Sequence, residues 1–481
     1  MAGRNNSTLL CVPLVAKTVE EMLIDIGRAK AAGADLVEIR LDHLAAFSPR
    51  QDLERLLRDR PLPALVTYRP KWEGGEYEGD DVKRLDVLRL AMEMGADYVD
   101  VELKVAPEFA NSIAGKKPEK FKLIVSSHNY ESTPSMEVLG DLVASIQVAG
   151  ADIVKIATTA VNTTDVARMF QVMVHCQLKH QIPMIGLVMR ERGLISRILC
   201  PKFGGYLTFA VLEGGKESAP GQPTTSDLLN VYKIRRIGTD TRIYGIIGKP
   251  VSHSKSPFLL TEAFSSTGVN AVYVPYLVDD VADFLSVYSS PDFAGFRHLS
   301  DSSLTVKHAG SLGNSCTIPH KEAIVKCCSE VDPIAKSIGA VNTIVRRPDG
   351  NLVGYNTDYT GAISAIEDAM RGSHANDSSA SPLSGRLFVI IGAGGAGKAL
   401  AYGAKEKGAK VIIANRTFDR ARELAMSVGG DALSLAELES FHPEGGMILA
   451  NTTSIGMQPN IDGTPLPKFL FLERDFDGGR V

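Results

Sequence analysis

The sequence predicts an α/β protein with three parts: a (β/α)8 TIM barrel, an α/β substrate domain and an incomplete Rossmann domain. Its 481 residues suffice for two or three domains. In the first half, a weak repeat places Gly-Ala-Asp before an apolar run. In the second half, residues 392–397 read G-x-G-x-x-G between an apolar run and a helical pattern. These observations place a barrel before a dinucleotide-binding fold.

The composition argues against several classes of function. Hydrophobic residues make up 44% of the chain, charged residues 22%, and the net charge is −4, so we expect neither nucleic acid nor a membrane as partner. No run reaches the ~20 apolar residues of a membrane span. The start leads directly into an apolar run at 9–14, so we expect no signal or transit peptide. The six cysteines lack zinc-ligand spacing, which favours free thiols in a reducing compartment and no metal.

The repeat organises residues 1–236. Gly33, Gly95 and Gly150 each end a helical pattern, and each Gly-Ala-Asp leads into a buried parallel strand. Together with the other apolar runs, this predicts eight strands at 9–14, 36–40, 64–68, 98–102, 122–126, 153–156, 184–187 and 206–209. Eight β/α units in this length are typical of a TIM barrel, whose active site lies at the carboxyl ends of the strands.

Lys155 and His128 are the candidate catalytic residues at these strand ends. A lysine in an apolar strand loses hydration, and a neutral amine forms a Schiff base with a ketone. The alternative is a lysine whose charge reaches solvent or pairs with a carboxylate. His128, one strand earlier, suits a proton shuttle, or else it caps an element or fills the core. Further charged residues at the strand ends predict a site for an anionic carbonyl compound: Glu38, Arg40, Arg69, Asp100 and Glu102.

These residues resemble type I 3-dehydroquinate dehydratase over about residues 8–235, through Glu38-Ile39-Arg40, Ser127-His128-Asn129, Val154-Lys155 and Ser218-Ala219-Pro220-Gly221-Gln222. The resemblance implies that Lys155 forms a Schiff base with 3-dehydroquinate and that His128, oriented by Glu73, removes a C2 proton. It implies that Arg197 holds the substrate carboxylate. The remaining implied contacts are Glu38, Arg40, Arg69, Ser218 and Gln222. Arg190 stands where the family has glycine, and a positive φ there would strain it.

Residues 242–370 form the predicted substrate domain. Thr317-Ile318-Pro319-His320-Lys321, Val341-Asn342-Thr343 and Asn356-Thr357-Asp358 resemble shikimate dehydrogenase, as does the serine-rich turn at 251–257. The resemblance implies that Lys321 and Asp358 are the catalytic pair. It implies that the substrate is held by Ser254, Ser256, Thr317 and Asn342, with shikimate favoured over quinate.

Residues 385–481 form the predicted nucleotide domain. The glycine-rich loop lets backbone amides approach a pyrophosphate at a helix N-terminus. Arg416 and Arg420 follow the second strand where an NAD enzyme has an acidic residue, so NADP is favoured; the alternative is a surface arginine. The candidate cofactor-binding residues are Gly392, Gly394, Gly395, Ala396, Gly397, Asn415, Arg416, Thr417, Arg420, Thr452 and Ser454.

The order of the parts resembles the bifunctional plant enzyme of the shikimate pathway, which implies a plastid-stroma location, with the cytosol as the alternative. We expect a monomer. The chain departs from the family by an insertion at 297–314 and by an ending at 466–481 that resembles none of what the family has after Pro459. We therefore expect an incomplete three-stranded sheet from 387 to 450 with one open edge. The alternatives are a dehydratase with an inactive second half, or another lysine-dependent barrel such as an aldolase.

Overall fold

The computed structural model describes residues 6–215, 217–288, 314–347, 349–371, 380–441, 445–457 and 460–466. The chain divides into two units, Met1–Ile246 with Ser254–Arg297, and Ile247–His253 with His298–Val481. The predicted insertion at 297–314, apart from Asn314, and the predicted aberrant ending beyond 466 lie outside the described residues. None of the helices in these ranges combines the length and apolar content that a membrane crossing requires.

The first unit contains the predicted eight-stranded parallel barrel, whose strands are β1 (Leu9–Leu14), β2 (Leu36–Arg40), β3 (Ala64–Thr67), β4 (Tyr98–Glu102), β5 (Lys122–His128), β6 (Ile153–Thr159), β7 (Met184–Met189) and β8 (Leu207–Phe209). Their order is β7-β6-β5-β4-β3-β2-β1-β8. Tyr206 N donates to Met184 O at 2.8 Å, which brings the β8 side of the sheet back to β7. The eight predicted strands are confirmed, and β6 extends three residues beyond its predicted end.

The helices that follow these strands are α1 (Val19–Ala31), α2 (Pro49–Leu57), α3 (Asp81–Glu93), α4 (Ala106–Ile113), α5 (Met136–Val148), α6 (Thr164–His175) and α7 (Leu194–Ile198). A short π-helix, Asp227–Val231, follows β8. The repeat glycines Gly33, Gly95 and Gly150 have φ values of 87°, 92° and 94°, so each ends its helix in a conformation that favours glycine. Cys11, Leu36, Leu65 and Ile124 pack with other strand residues in a core inside the barrel.

The same unit continues with β9 (Arg242–Gly248), α8 (Ser256–Ser266), β10 (Ala271–Leu277) and α9 (Val281–Tyr288). The last two residues of β9 belong to the second unit. Tyr288 Oη donates to Thr163 O at 2.7 Å, and Arg192 forms a bidentate ion pair with Asp279 at 2.7 Å. These contacts attach β10 and α9 to the barrel within this unit.

The second unit contains two groups of strands. The first group, in spatial order, is β11 (Asn314–Cys316), β13 (Thr343–Arg346), β14 (Leu352–Tyr355) and β12 (Glu330–Val331). The second group is β17 (Asp431–Leu433), β16 (Lys410–Ala414), β15 (Leu387–Ile391) and β18 (Ile448–Asn451), all parallel. The helices are α10 (Pro333–Ile338), α11 (Asp358–Arg371), α12 (Gly395–Glu406), α13 (Phe418–Val428) and α14 (Leu435–Glu439).

The prediction of three strands in the nucleotide-binding sheet was wrong, because the described residues form four. The additional strand, β17, is only three residues long and begins with Asp431. A segment so short has neither an apolar run nor an alternating pattern by which sequence could identify it. Its pairing with β16 extends the sheet on that side.

Candidate active sites

The carboxyl ends of the barrel strands surround a cavity. It brings together eight of the predicted site residues, which are Glu38, Arg40, Arg69, His128, Lys155, Arg197, Ser218 and Gln222. Glu73 lies beside it, in contact with His128. Leu187, Met189 and Phe209 supply an apolar wall. The cavity therefore combines charges of both signs with a desolvated surface, as sites for small polar ligands do.

Lys155 is 5% exposed and points into this cavity from β6. Its Nζ lies 2.6 Å from Asp100 Oδ2 and 3.8 Å from Glu38 Oε1. Of the interpretations that the sequence left open, the structure shows Lys155 paired with carboxylates and not isolated in an apolar strand. A lysine attacks a carbonyl as the neutral amine, and Asp100 and Glu38 are the carboxylates that lie beside this one.

Asp100 is the site residue to which sequence reasoning gave no specific role. Its other oxygen, Oδ1, lies 2.8 Å from Arg69 Nη2 and accepts from Ser126 at 2.6 Å. Burial alone would raise the pKa of Asp100, but Arg69 and Lys155 hold it well below its usual range. Burial likewise would lower the pKa of Arg69, and the carboxylates of Asp100 and Glu102 raise it instead. This alternation of charges keeps each group ionised without access to water.

His128 is placed to act as a neutral base. Its Nδ1 lies 3.2 Å from Glu73 Oε1, and its backbone N donates to the same oxygen at 2.8 Å. Burial and the positive charge of Arg69 lower the pKa of His128 to about 4, although Glu73 opposes this shift. The imidazole is therefore uncharged at neutral pH, and Glu73 fixes its orientation.

Arg197 carries a positive charge without a counter-ion among the described residues. It is 1% exposed, and its Nε and Nη1 have no hydrogen-bond partner in that part of the chain. Burial lowers the pKa of Arg197 to about 10, which still leaves it charged at neutral pH. Buried donors that lack partners are costly, so they indicate a ligand that supplies acceptors. A carboxylate matches the guanidinium fork.

Hydrogen bonds to neighbouring residues fix the remaining polar side chains of the cavity. Arg40 forms a bidentate pair with Asp42 at 3.0 and 2.7 Å. Glu38 accepts a hydrogen bond from Thr67 at 2.8 Å. In the segment after β8, Ser218 N donates to Gln222 Oε1 at 2.9 Å and Gln222 Nε2 donates to Ser218 Oγ at 3.2 Å.

Arg190 has the strained backbone that its position predicts. Its φ is 67° and its ψ is 177°, a combination that is essentially restricted to glycine. Its N donates to Pro220 O at 3.0 Å, and a Cβ added to Gly221 would lie 2.5 Å from Arg190 O. The strain therefore adjoins the segment that carries Ser218.

The second unit brings together the predicted dehydrogenase pair. Lys321 Nζ lies 2.6 Å from Asp358 Oδ2, and Asn342 Nδ2 donates to Asp358 Oδ1 at 2.8 Å. Thr317 N donates to Ile247 O at 2.8 Å, which fixes the segment leading to Lys321. The geometry thus gives a half-buried lysine beside a carboxylate whose second oxygen is held by an amide.

The two serines predicted to hold the same substrate belong to the first unit. Ser256 is the first residue of α8, and its backbone N lies 3.3 Å from Ser254 Oγ. This is a local hydrogen bond at a helix start. A ligand-binding role for Ser254 and Ser256 stays a prediction.

The glycine-rich loop between β15 and α12 fits a dinucleotide. A Cβ on Gly397 would lie 2.1 Å from Gly392 O, and one on Gly395 would lie 2.8 Å from the Lys321 side chain. A Cβ on Gly394 would meet nothing within 4 Å, so the helix N-terminus faces open space. Thr452 Oγ1 donates to Ile391 O at 2.9 Å and thereby fixes the loop. The predicted residues Ala396 and Ser454 lie in α12 and in the turn after β18.

Arg420 and Arg416 supply the exposed positive charge near this loop. Arg416 is exposed after β16, and Asn415 Nδ2 donates to Thr417 O at 2.9 Å, which closes the turn. Arg420 pairs with Glu322 at 2.9 Å, and Lys398 pairs with the other oxygen of Glu322 at 3.0 Å. Sequence reasoning did not identify Glu322, which directly follows Lys321.

Three family models match consecutive parts of the chain. The model described as Type I 3-dehydroquinase matches residues 10–239. The model described as Shikimate dehydrogenase substrate binding domain matches 246–344, and the model described as Shikimate / quinate 5-dehydrogenase matches 375–457.

Relatives match both halves together and each half separately. The bifunctional 3-dehydroquinate dehydratase/shikimate dehydrogenase, chloroplastic, of Arabidopsis thaliana is 62% identical over 96% of this chain and 74% of that protein. The 3-dehydroquinate dehydratase of Desulfotalea psychrophila is 35% identical over 47% of this chain and 98% of its own length. The shikimate dehydrogenase (NADP(+)) of Bacillus cereus is 37% identical over 47% of this chain and 73% of its own length.

Proposed function

We propose, from the premise that this chain belongs to the family of bifunctional 3-dehydroquinate dehydratases/shikimate dehydrogenases, that it converts 3-dehydroquinate through 3-dehydroshikimate to shikimate. The barrel removes water, and the second half reduces the product. The observation that carries the proposal is the convergence of Lys155, a neutral His128 and a buried Arg197 without a described counter-ion on one cavity.

In the barrel, Lys155 attacks the substrate ketone once its proton has passed to a neighbouring acceptor, and the carbonyl oxygen leaves as water. The protonated imine withdraws electrons from C2, so that His128 can remove a C2 proton. The electron pair then forms the C1–C2 double bond as the C1 hydroxyl departs with a proton from His128, as a second water. Hydrolysis of the imine releases 3-dehydroshikimate and Lys155, so the net change is the loss of one water.

The other cavity residues bind and orient this substrate. Arg197 forms a bidentate pair with the carboxylate, since no described residue satisfies its Nε and Nη1. Glu73 holds the His128 imidazole in one orientation. Contacts to hydroxyls come from Glu38, Arg40, Arg69, Ser218 and Gln222, all of which line the cavity.

In the second half, Lys321 exchanges a proton with the oxygen that becomes the shikimate hydroxyl, and Asp358 holds Lys321 in position. Asn342, Thr317, Ser254 and Ser256 bind the substrate, for which we propose shikimate over quinate. NADP, when bound beside this pair, would supply or accept the hydride.

The chain presents a coherent set of groups for NADP. The proposed pyrophosphate site is the loop and helix start formed by Gly392, Gly394, Gly395, Ala396 and Gly397. A Cβ at Gly392, Gly395 or Gly397 would meet protein atoms, whereas one at Gly394 would meet none within 4 Å. Charge for a 2′-phosphate comes from Arg416 and Arg420, on a turn shaped by Asn415 and Thr417. Thr452 and Ser454 border the loop from the side of β18.

The proposal divides the chain into a dehydratase at 1–236, a substrate domain at 242–370 and a nucleotide domain at 385–481. The plastid stroma is the proposed location, because the Arabidopsis relative is described as chloroplastic. A monomer is the proposed oligomeric state.

Two substitutions separate the activities in the full chain. NADPH consumption is measured with either 3-dehydroquinate or 3-dehydroshikimate as substrate. Lys155→Met should abolish consumption with the first substrate and preserve it with the second. Lys321→Met should abolish both, while 3-dehydroquinate is still converted to 3-dehydroshikimate. Lys122→Met, at an exposed lysine at the start of β5, is the matched control and should change neither.

Each half can fail separately in this experiment. Conversion of 3-dehydroquinate without any NADPH consumption from 3-dehydroshikimate would leave a dehydratase alone. No conversion of 3-dehydroquinate by folded protein would overturn the proposal for the barrel.

A further inference from the structure

Arg84 contacts the elements that carry the catalytic groups of the barrel, although it lies outside the cavity. It belongs to α3, and its side chain is 0% exposed. It does not line the cavity, so a substrate bound there would not touch it. A fully buried guanidinium requires partners for its charge, and Arg84 has them although its Nη2 has no hydrogen-bond partner among the described residues. The identity of these partners indicates its role.

One set of contacts leads from Arg84 to the catalytic amine. Its Nη1 lies 2.7 Å from Glu102 Oε2, and Glu102 Oε1 accepts from Arg69 Nη1 at 2.7 Å. Arg69 Nη2 lies 2.8 Å from Asp100 Oδ1, and Asp100 Oδ2 lies 2.6 Å from Lys155 Nζ. Charges of opposite sign alternate without a gap from α3 to Lys155.

A second set of contacts leads from Arg84 to the loop that orients the base. Its Nη1 donates to Tyr68 O at 3.0 Å, directly after β3. Its guanidinium lies 5.9 Å from the ring centroid of Trp72, the residue before Glu73. Its Nε donates to Asp81 at 2.8 Å, which fixes the plane of the group.

We propose that Arg84 is a positioning residue for the dehydratase reaction. By holding Glu102 it fixes Arg69 and, through Asp100, the amine of Lys155. By holding Tyr68 and Trp72 it fixes the segment that presents Glu73 to the base. The inference rests on the dehydratase function proposed above.

The same contacts predict an effect of Arg84 on the pH dependence. Three charged groups face Glu102, namely Arg69 after β3, Arg84 on α3 and Asp100 on the same strand as Glu102. Burial raises the pKa of Glu102, and the two arginines oppose this shift. Loss of Arg84 removes one opposing charge, so Glu102 takes up a proton at higher pH and releases Arg69. Activity on the acid side should then decline at a higher pH than in the wild type.

The test measures dehydratase kinetics against pH for the full chain. For Arg84→Met, we expect kcat to fall about 100-fold, as for other small displacements of catalytic groups. KM should change far less because the cavity side chains remain, and the acid limb should move to higher pH. Arg84→Lys keeps the charge and should partly restore both. Arg89→Met, on the same helix at an arginine paired with Asp86 at 2.6 Å, should match the wild type.

The inference and the proposed function fail in different ways. Wild-type kcat and an unmoved acid limb in Arg84→Met would overturn the inference alone. If that variant does not fold, the double variant Arg84→Met/Glu102→Gln replaces it. The double variant no longer has the Glu102 carboxylate, whose charge Arg84 balances in the wild type. A reduced kcat is expected there, and wild-type kcat would overturn the inference. A folded wild type that does not convert 3-dehydroquinate would overturn both.

Discussion

Replacement of Arg190 by glycine should stabilise the barrel. The φ of 67° and ψ of 177° at this residue belong to a region that costs a side-chain-bearing residue about 1–3 kcal/mol. Glycine relieves this strain, but it also gives the unfolded chain more conformational freedom, which lowers the free energy of unfolding by about 0.5–1 kcal/mol. The net gain should therefore lie between about 0 and 2.5 kcal/mol, with about 1 kcal/mol from the midpoints. Each kcal/mol corresponds to about 2–4 °C in Tm for a domain of this size.

The assay is thermal and urea unfolding of the full chain, with Arg190→Ala as the control. Alanine removes the long side chain but keeps the Cβ that causes the strain, so it should bring no gain. Equal stabilisation by alanine and glycine would show that the side chain, and not the backbone, carries the cost. A glycine variant no more stable than the wild type would refute the reasoning.

Three further predictions concern charged groups at the two sites. Burial holds the pKa of His128 near 4, so the imidazole signals of His128 in an NMR titration should shift only at about pH 4. A titration at the ordinary histidine pKa would contradict this. Arg197→Met should raise KM about 10- to 100-fold, because the substrate loses a charged hydrogen bond. The same substitution should raise Tm, because it removes a buried charge, and a lowered Tm would argue for an internal partner of Arg197. Glu322→Gln should tighten NADPH binding about 2- to 5-fold, the scale of one exposed ion pair, by releasing Arg420. NADH, which lacks the 2′-phosphate, is the control, and an equal gain for it would exclude competition at Arg420.

The barrel could be predicted because its signal repeats. Each Gly-Ala-Asp marks the same event, a helix end followed by a buried strand, and positive φ at Gly33, Gly95 and Gly150 explains why glycine stands there. Strand ends then indicate which side chains share the mouth of the barrel. A repeated local pattern of this kind needs no knowledge of long-range contacts.

The pairing of Lys155 with Asp100 could not be predicted from that pattern. Strand register places Glu102, Ser126 and Lys155 in one row, yet the amine contacts Asp100, two residues before Glu102. The choice depends on Arg69, which occupies the space between the two carboxylates. Which side chains meet across several strands depends on packing inside the barrel, and the spacing of residues along the sequence does not reveal it.

The ion pair of Glu322 with Arg420 has a similar origin. The two residues are 98 positions apart in the sequence. Each charge also has an ordinary local explanation, because Glu322 stands at a helix start and Arg420 on a surface helix. Only the folded second unit shows that they meet beside the glycine-rich loop. Sequence could therefore suggest Arg420 as a phosphate ligand, but it could not suggest its competitor.

The central claim, that Lys155 forms a covalent imine with its substrate, is tested most directly by reductive trapping. Full-length protein is treated with borohydride in the presence of 3-dehydroquinate, and its peptides are analysed by mass spectrometry. We expect one stable adduct located on Lys155, and none in Lys155→Met. An adduct on another lysine, or none in a folded protein that still converts 3-dehydroquinate, would contradict it.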